Sequence, residues 1–272
     1  MFQTPRPKSV LESAFTLIDL IFVATVRNIR KTNGNAIVGL LMNILQSVIM
    51  VAVFWLMIDV LGMRHLALRG NYIVFLLSGI FLFMTHTKAV GAVAGAPNAA
   101  SPLMKHANMN TAISITAAAL SSLYFQILSM AVILFITHVA IERVEIYDWA
   151  GFLKMFFLAW LSGVALGLVL MALSPWAPTL TSLIATIYRR VQMIASGKMF
   201  LANTMGAYLY MFDWNPLFHI IDQARGYAFI NYNPRFTNSE YPLAMTVAFL
   251  VLGMVAEFYT RKRTSLSWYA RR

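Results

Sequence analysis

Residues 155–173 read Met-Phe-Phe-Leu-Ala-Trp-Leu-Ser-Gly-Val-Ala-Leu-Gly-Leu-Val-Leu-Met-Ala-Leu, with no Asp, Glu, Lys or Arg among them. About 20 such residues, wound at 1.5 Å per residue, cross the roughly 30 Å hydrocarbon core of a bilayer. A helix apolar on every face has no side to offer water, so this stretch is read as a membrane span. Other charge-free runs extend from Thr32 to Ile58, Gly70 to Thr87, His106 to Ile141, Met199 to Phe212 and Tyr241 to Ala256, and the quoted run itself reaches Tyr188. Trimmed to spanning length, they predict helices near 36–58, 71–92, 112–137, 153–174, 179–202 and 242–260.

Composition agrees with that reading. Of 272 residues, 60% are hydrophobic and 11% charged, and the mean hydropathy is +0.69. Soluble domains average about 45–50% apolar and about 25% charged. The expected fold class is therefore an all-α integral membrane protein of six transmembrane helices, forming one domain over 1–272, with no room for a sizeable soluble domain. The absence of Cys excludes disulfides, thiolate nucleophiles and Cys-based zinc sites. The net charge of +11 raises nucleic acid as a partner, but in so apolar a chain basic residues mark cytoplasmic tails, and no nucleic-acid binding is expected.

No signal peptide is expected at the start. In 9–31, Leu11, Phe15, Ile18, Phe22 and Ile29 recur at three- to four-residue spacing while Glu12, Asp19, Arg27, Arg30 and Lys31 interrupt any spanning run. The pattern predicts an amphipathic helix lying along the membrane surface, its Arg/Lys end suited to anionic headgroups. The charges also orient the spans. With six spans both basic tails share a side with Lys88 and Lys105, which gathers twelve cations there; Arg64, Arg69, Arg143, Lys154, Arg225 and Arg235 fall on the other with most of the acids. Both termini are therefore expected in the cytoplasm. Pro175 and Pro178 break the backbone between spans four and five.

Several chemistries find no support. There is no G-x-x-x-x-G-K-[ST] phosphate loop, since Gly197-Lys198 lacks the earlier Gly and is followed by Met199. H-E-x-x-H and G-x-S-x-G are absent, and no catalytic residue, cofactor or metal site is expected in this chain. His86, His138 and His219 are isolated from one another and read as satisfied imidazoles. Gly163 and Gly167 read as a helix-packing pair.

Two polar segments stand out. In the loop after span two, Ser101 is a good N-cap and Pro102 a natural first helical residue, ahead of Leu103, Met104, Lys105 and His106. A short helix over 98–108 is either a connecting turn or a knob that docks a cytoplasmic partner. Before the last span, Trp214 precedes Asn215, which caps, and Pro216, which starts; Asp222 and Arg225 are expected to pair at i, i+3, and Gly226 to close the helix. It is too short to span, so it lies in the outer interface or dips in as a re-entrant piece. Span five is unusual in holding Arg189, Arg190 and Lys198. A helix over 179–202 would set the two arginines about 15–17 Å along its axis, with Lys198 about 80° round from Arg190. Such a face either lines a polar pathway or snorkels and pairs elsewhere.

Taken in order, the basic N-terminal amphipathic helix, six spans, the short helix after span two and the segment Asn215-Pro216-Leu217-Phe218-His219-Ile220-Ile221-Asp222-Gln223-Ala224-Arg225 resemble the transmembrane subunit of ABC type-2 exporters. Within them the likeness is to the KpsM-like permeases of capsular polysaccharide export, and it covers nearly the whole chain. The sequence departs from that pattern at the end of span five, with Leu201-Ala202-Asn203-Thr204-Met205 in place of an apolar Tyr-Pro ending. The resemblance implies a homodimer in the bacterial inner membrane, bound to two copies of a cytoplasmic ABC ATPase that holds ATP and Mg, and working with a periplasmic or outer-membrane export partner. Its substrate would be a lipid-linked capsular polysaccharide, and the cations Arg189, Arg190 and Lys198 of span five lead us to expect an acidic one. The ATPase-coupling residues would be Arg27, Arg30, Lys31, Ser101, Pro102, Leu103, Lys105 and His106. Short periplasmic gate helices would fall in 203–229, with Trp214, Asn215, Pro216, His219, Asp222 and Arg225, and Arg189, Arg190 and Lys198 would line the translocation pathway. Alternatives are export of another glycan such as O-antigen, a secondary transporter, and a membrane-embedded transferase using His138 with Glu142.

Overall fold

The computed structural model describes residues 10–31, 35–60, 72–98, 101 and 110–269. Among them the chain is helical, without strands: α1 (Val10–Lys31), α2 (Ala36–Val60), α3 (Tyr72–Ala94), α4 (Thr111–Ala140), α5 (Trp149–Leu173), α6 (Pro178–Ala195), α7 (Pro216–Ala228) and α8 (Glu240–Tyr269). Two 3-10 segments, Ala202–Thr204 and Gly206–Met211, lie between α6 and α7. Five of the helices, α2, α3, α4, α5 and α8, are long and apolar enough to cross a membrane, which makes this a multi-pass membrane protein.

Local chemistry fixes the helix starts. Asn110 accepts from the amide of Ala112 at the head of α4, and Asp148 accepts from Ala150 and Gly151 at the head of α5. Pro178 opens α6, where its missing N–H leaves nothing unsatisfied. The capping acceptors each take an orphan donor of a first helical turn.

Helix α3 is the axis of the bundle. Its spanning segment is 83% buried, against 17% for those of α2 and α8, so α3 is sheathed in protein while the outer helices keep broad apolar faces for lipid. Phe75, Leu76, Ile80 and Phe81 of α3 pack with Phe152, Met155 and Phe156 of α5 and with Leu217, Ile220 and Ile221 of α7 in one core. The closeness of α3 to α5 depends on Gly163 and Gly167, as expected. A Cβ on Gly163 would strike the carbonyl of His86, and one on Gly167 would lie 2.9 Å from the carbonyl of Val90. On the flank, Asn43 of α2 donates to Ser129 of α4 (2.7 Å) and accepts from Gln126 (3.3 Å), a polar joint between lipid-facing helices.

Helix α1 lies against the first turns of α4, with Ile21 and Ala24 packed on Ile113 and Ala117. Its other apolar stripe, Leu11, Phe15, Ile18 and Phe22, is exposed. The far part of α8 reaches the same place: Glu257 accepts from Thr111, and Arg261 donates to Asn110. The start of α1's partner and the end of α8 therefore share one end of the bundle, called here the α1 end. At the opposite end lie the starts of α3, α5 and α8, together with α7.

The helix expected over 179–202 is shorter than its sequence suggests. Helix α6 stops at Ala195, and the chain turns at Gly197, whose φ of 71° is left-handed. The apolar run from Met199 to Phe212 is not a continuation of a span. It folds into the two 3-10 segments, because the turn at Gly197 redirects the backbone.

Candidate functional site

The site is built where α6 breaks. Its last turn, the residues 196–200 and helix α7 are stitched together by two buried polar side chains, Arg225 and Asn215, both fully shielded from solvent. The Arg225 guanidinium donates to three backbone carbonyls of the turn: Nη1 to Gly197 (2.8 Å) and Phe200 (2.6 Å), Nη2 to Lys198 (2.5 Å). Its cationic carbon sits 4.0 Å over the ring of Phe75. Burial lowers the Arg225 pKa to about 10, partly opposed by Asp222 and Tyr232, so the group stays cationic at neutral pH. A cation placed against the carbonyl end of α6 answers the partial negative charge that a helix C-terminus carries. Glycines make the space. A Cβ on Gly79 of α3 would lie 2.7 Å from both Arg225 Nη2 and the Lys198 carbonyl, and one on Gly197 would strike the ring of Phe218.

Asn215 works at the other end of α7. Its Oδ1 accepts from the amide of Leu217, as the cap reading expects, while its Nδ2 donates to the Ala195 carbonyl (2.7 Å) and to Gln192 Oε1 (2.8 Å). One side chain thus starts α7 and finishes α6. Asp222 is buried too, accepting from Ala202 N–H (3.2 Å), Tyr232 (2.6 Å) and Thr237 (2.8 Å). Burial, and then the neighbouring carboxylate, push the Tyr232 hydroxyl well above its ordinary range, so it remains a donor. His219 accepts from Asn238 N–H at Nδ1, which leaves Nε2–H to donate to the Asp213 carbonyl (2.8 Å).

Of the expected gate residues, Asn215, His219, Asp222 and Arg225 converge here, Pro216 opens α7, and Trp214 stands out from the surface. Two expectations need correction. Asp222 and Arg225 do not form a direct ion pair: their side chains leave α7 toward different partners, the carboxylate to Ala202, Tyr232 and Thr237, the guanidinium to the turn after α6. Helix α7 also runs past Gly226 to Ala228, and Gly226 instead makes room for Pro234.

The three cations of the expected span five part company. Arg189 and Arg190 are exposed on α6, with Arg189 folded back to donate to the Ala185 carbonyl (3.1 Å). Lys198 lies beyond the helix, 1% exposed, with its ammonium 3.6 Å over the ring of Phe83. It does not share a helical face with Arg190, because the turn at Gly197 ends the helical register between them. It is therefore a packed residue and not part of an open polar lining.

At the α1 end, Arg27 and Arg30 are exposed on α1. Ser101 N–H donates to the Asn98 carbonyl. Pro102, Leu103, Lys105, His106 and the side chain of Lys31 lie outside the described residues. His138, the histidine of the alternative transferase pair, accepts from Val144 N–H at Nδ1 (3.2 Å), a bond to the loop that follows its own helix. Among the described residues, no three His, Asp or Glu side chains gather as metal ligands would.

Sequence reading missed the other half of this site. Gln192, Tyr188 and His86 carry a chain of buried hydrogen bonds from Asn215 into the core; their one visible signal was polarity on an otherwise apolar helical face. The fold and the site define an all-helical, multi-pass membrane protein whose short helix α7 is buried among its spans. No protein-family model matches the chain, and no curated protein matches it at a significant level.

Proposed function

We propose that this chain is the membrane-spanning permease subunit of an ABC type-2 exporter of the KpsM-like kind, carrying a lipid-linked, acidic capsular polysaccharide out of the cytoplasm. One observation carries the reading: Asn215–Arg225, the segment on which the resemblance rests, forms a buried helix held by its own Asn and Arg against the end of a broken α6. A helix of that length, packed among spans, suits an outer gate that closes a pathway without crossing the bilayer. A sixth crossing by α6 is supported by its direction, from the α1 end toward the α7 end, and by the meeting of α1 and the end of α8 at the start of α4. An even number of crossings puts both basic tails on one side, the cytoplasmic side of a bacterial inner membrane. In a homodimer the exposed Arg189 and Arg190 of each copy face a shared pathway and attract an anionic glycan. The energy comes from ATP and Mg in two copies of a separate ATPase, docked at 98–108 and the Arg27/Arg30 face, and a periplasmic or outer-membrane partner receives the glycan.

The test is to purify the chain with the ATPase produced alongside it and measure ATP hydrolysis in proteoliposomes with and without lipid-linked acidic glycan. Stable association and glycan-stimulated hydrolysis are expected. A chain that binds no ATPase, or a complex indifferent to glycan, refutes the reading.

A further inference from the structure

Between α7 and the centre of the bundle runs a line of hydrogen-bonded side chains, buried except at the half-buried Tyr188. Asn215 and Gln192 face each other as a reciprocal amide pair, with Gln192 Nε2 donating to Asn215 Oδ1 (3.1 Å) and receiving nothing in return but the Asn215 Nδ2 bond to its Oε1 (2.8 Å). Gln192 Nε2 also donates to the Tyr188 hydroxyl (2.9 Å). That hydroxyl meets His86 Nε2 at 2.7 Å, and His86 Nδ1 meets Ser162 Oγ at 2.8 Å. Ser162 Oγ ends the line by donating to the Ala159 carbonyl (2.9 Å). Four helices, α7 through its cap, α6, α3 and α5, are joined in this way.

The direction of every bond is dictated by backbone groups that cannot change role. At one end Leu217 N–H only donates and the Ala195 carbonyl only accepts, so Asn215 must present Oδ1 to the first and Nδ2 to the second. That orients Gln192, whose Nε2 must then donate to Tyr188. The Tyr188 proton goes to His86 Nε2, so the imidazole carries its hydrogen on Nδ1 and gives it to Ser162 Oγ (2.8 Å), with the Ala159 carbonyl also in reach at 3.3 Å. At the other end the Ala159 carbonyl only accepts, which holds Ser162 in the same sense. Both ends impose one polarity, and no link can reverse without stranding a buried donor or acceptor.

We infer that Gln192, Tyr188 and His86 are positioning residues that bind the capped start of α7 to α3 and α5 as one directed chain. Helix α7 cannot leave its seat by loosening Asn215 alone, because the Asn215–Gln192 pair, Tyr188 and the His86 tautomer are set together. For transport this inference rests on the reading of α7 as a gate: motion of the gate is then motion of α6 against the α3–α5 core. The hydrogen-bond coupling itself is a property of the isolated chain.

It is tested by amide hydrogen exchange on the purified chain in nanodiscs, without ATPase or glycan, following the first turn of α7 and, as a control, the middle of α8. Tyr188→Phe and His86→Phe touch neither Asn215 nor α7, yet each is expected to speed exchange at the start of α7 about tenfold, the loss of one buried hydrogen bond. The double variant should be no faster than either single, since the line is already cut. Ser162→Ala removes the nearer acceptor of His86 Nδ1–H, leaves the Ala159 carbonyl at 3.3 Å and keeps the packing, so it is expected to speed exchange there about twofold, less than Tyr188→Phe, even where His86→Phe does not fold. Unchanged exchange at α7 in Tyr188→Phe and Ser162→Ala overturns the inference, as do single effects that simply add. That failure would leave the permease proposal standing, and a failure of glycan-stimulated hydrolysis would leave these exchange rates as they are.

Discussion

Replacing Arg225 by Ala should open the turn after α6, and the loss can be worked from its contacts. The carbonyls of Gly197, Lys198 and Phe200 would lose their only charged donor inside a site from which water is excluded. A buried polar group left without its partner costs about 1–3 kcal/mol. The Gly197 carbonyl keeps the amide of Phe200 (3.3 Å) and the turn relaxes as a unit, so the loss falls short of three full penalties, at roughly 2–5 kcal/mol. Thermal unfolding in detergent should then drop on the order of 10 °C, and protease should cut within 196–205 where the native turn resists. Arg225→Lys should recover only part of the loss, since a single ammonium cannot reach three carbonyls in the planar fork of a guanidinium. Free guanidinium at low millimolar concentration should rescue Arg225→Ala, whereas an equal concentration of sodium should not, because the vacated site has the shape and charge of the missing group. An Arg225→Ala protein that melts and resists protease like the native chain would refute the clamp, and so would rescue by sodium as well as by guanidinium.

Gly79→Ala should act on the same clamp from the opposite wall, placing a methyl 2.7 Å from both Arg225 Nη2 and the Lys198 carbonyl; a melting temperature equal to that of the native protein would show that the wall gives way. Gly163→Leu should separate α3 from α5 and destabilise the bundle by about 3 kcal/mol or more, well beyond the usual overpacking penalty because the atom struck is the His86 carbonyl of the backbone; unfolding in a denaturing detergent series reads this directly. Arg189→Gln with Arg190→Gln should reduce export of an acidic glycan severalfold while leaving membrane insertion and ATPase binding intact, as followed by surface glycan and co-purification. Pro102→Asp with Leu103→Asp should abolish export and ATPase co-purification with insertion preserved, and normal export in that variant removes the proposed docking site.

The helices were legible wherever one property dominated. Charge-free length located α2, α3, α4, α5 and α8 within a few residues, apart from the extension of α8 to Tyr269, because burial in lipid demands the same thing of every position. The cap at Asn215 and the proline at Pro216 were legible for a similar reason: they satisfy neighbours in the chain itself. The end of α6 was not. Gly197 reads as one small residue in an apolar context, and only the ring of Phe218 and the carbonyls held by Arg225 make its left-handed turn the favoured course. The role of Arg225 was hidden for the same reason, since its partners are carbonyls that no side chain in the sequence announces. His86 and Tyr188 stand 102 residues apart, and nothing local in either one points to the other.

The central position of α3 has a consequence for synthesis. Its polar partners on α5 and α6 leave the ribosome later than it does: Ser162 follows His86 by 76 residues, and Tyr188 follows it by 102. At roughly 5–20 residues per second, the His86 imidazole waits about 5–20 s for its tyrosine. During that interval a helix destined for the middle of the bundle must stand beside lipid or insertion machinery with an unfilled polar atom on its flank. Assembly of this protein is thus governed by the order in which the chain emerges, with later helices closing around a span already in the membrane.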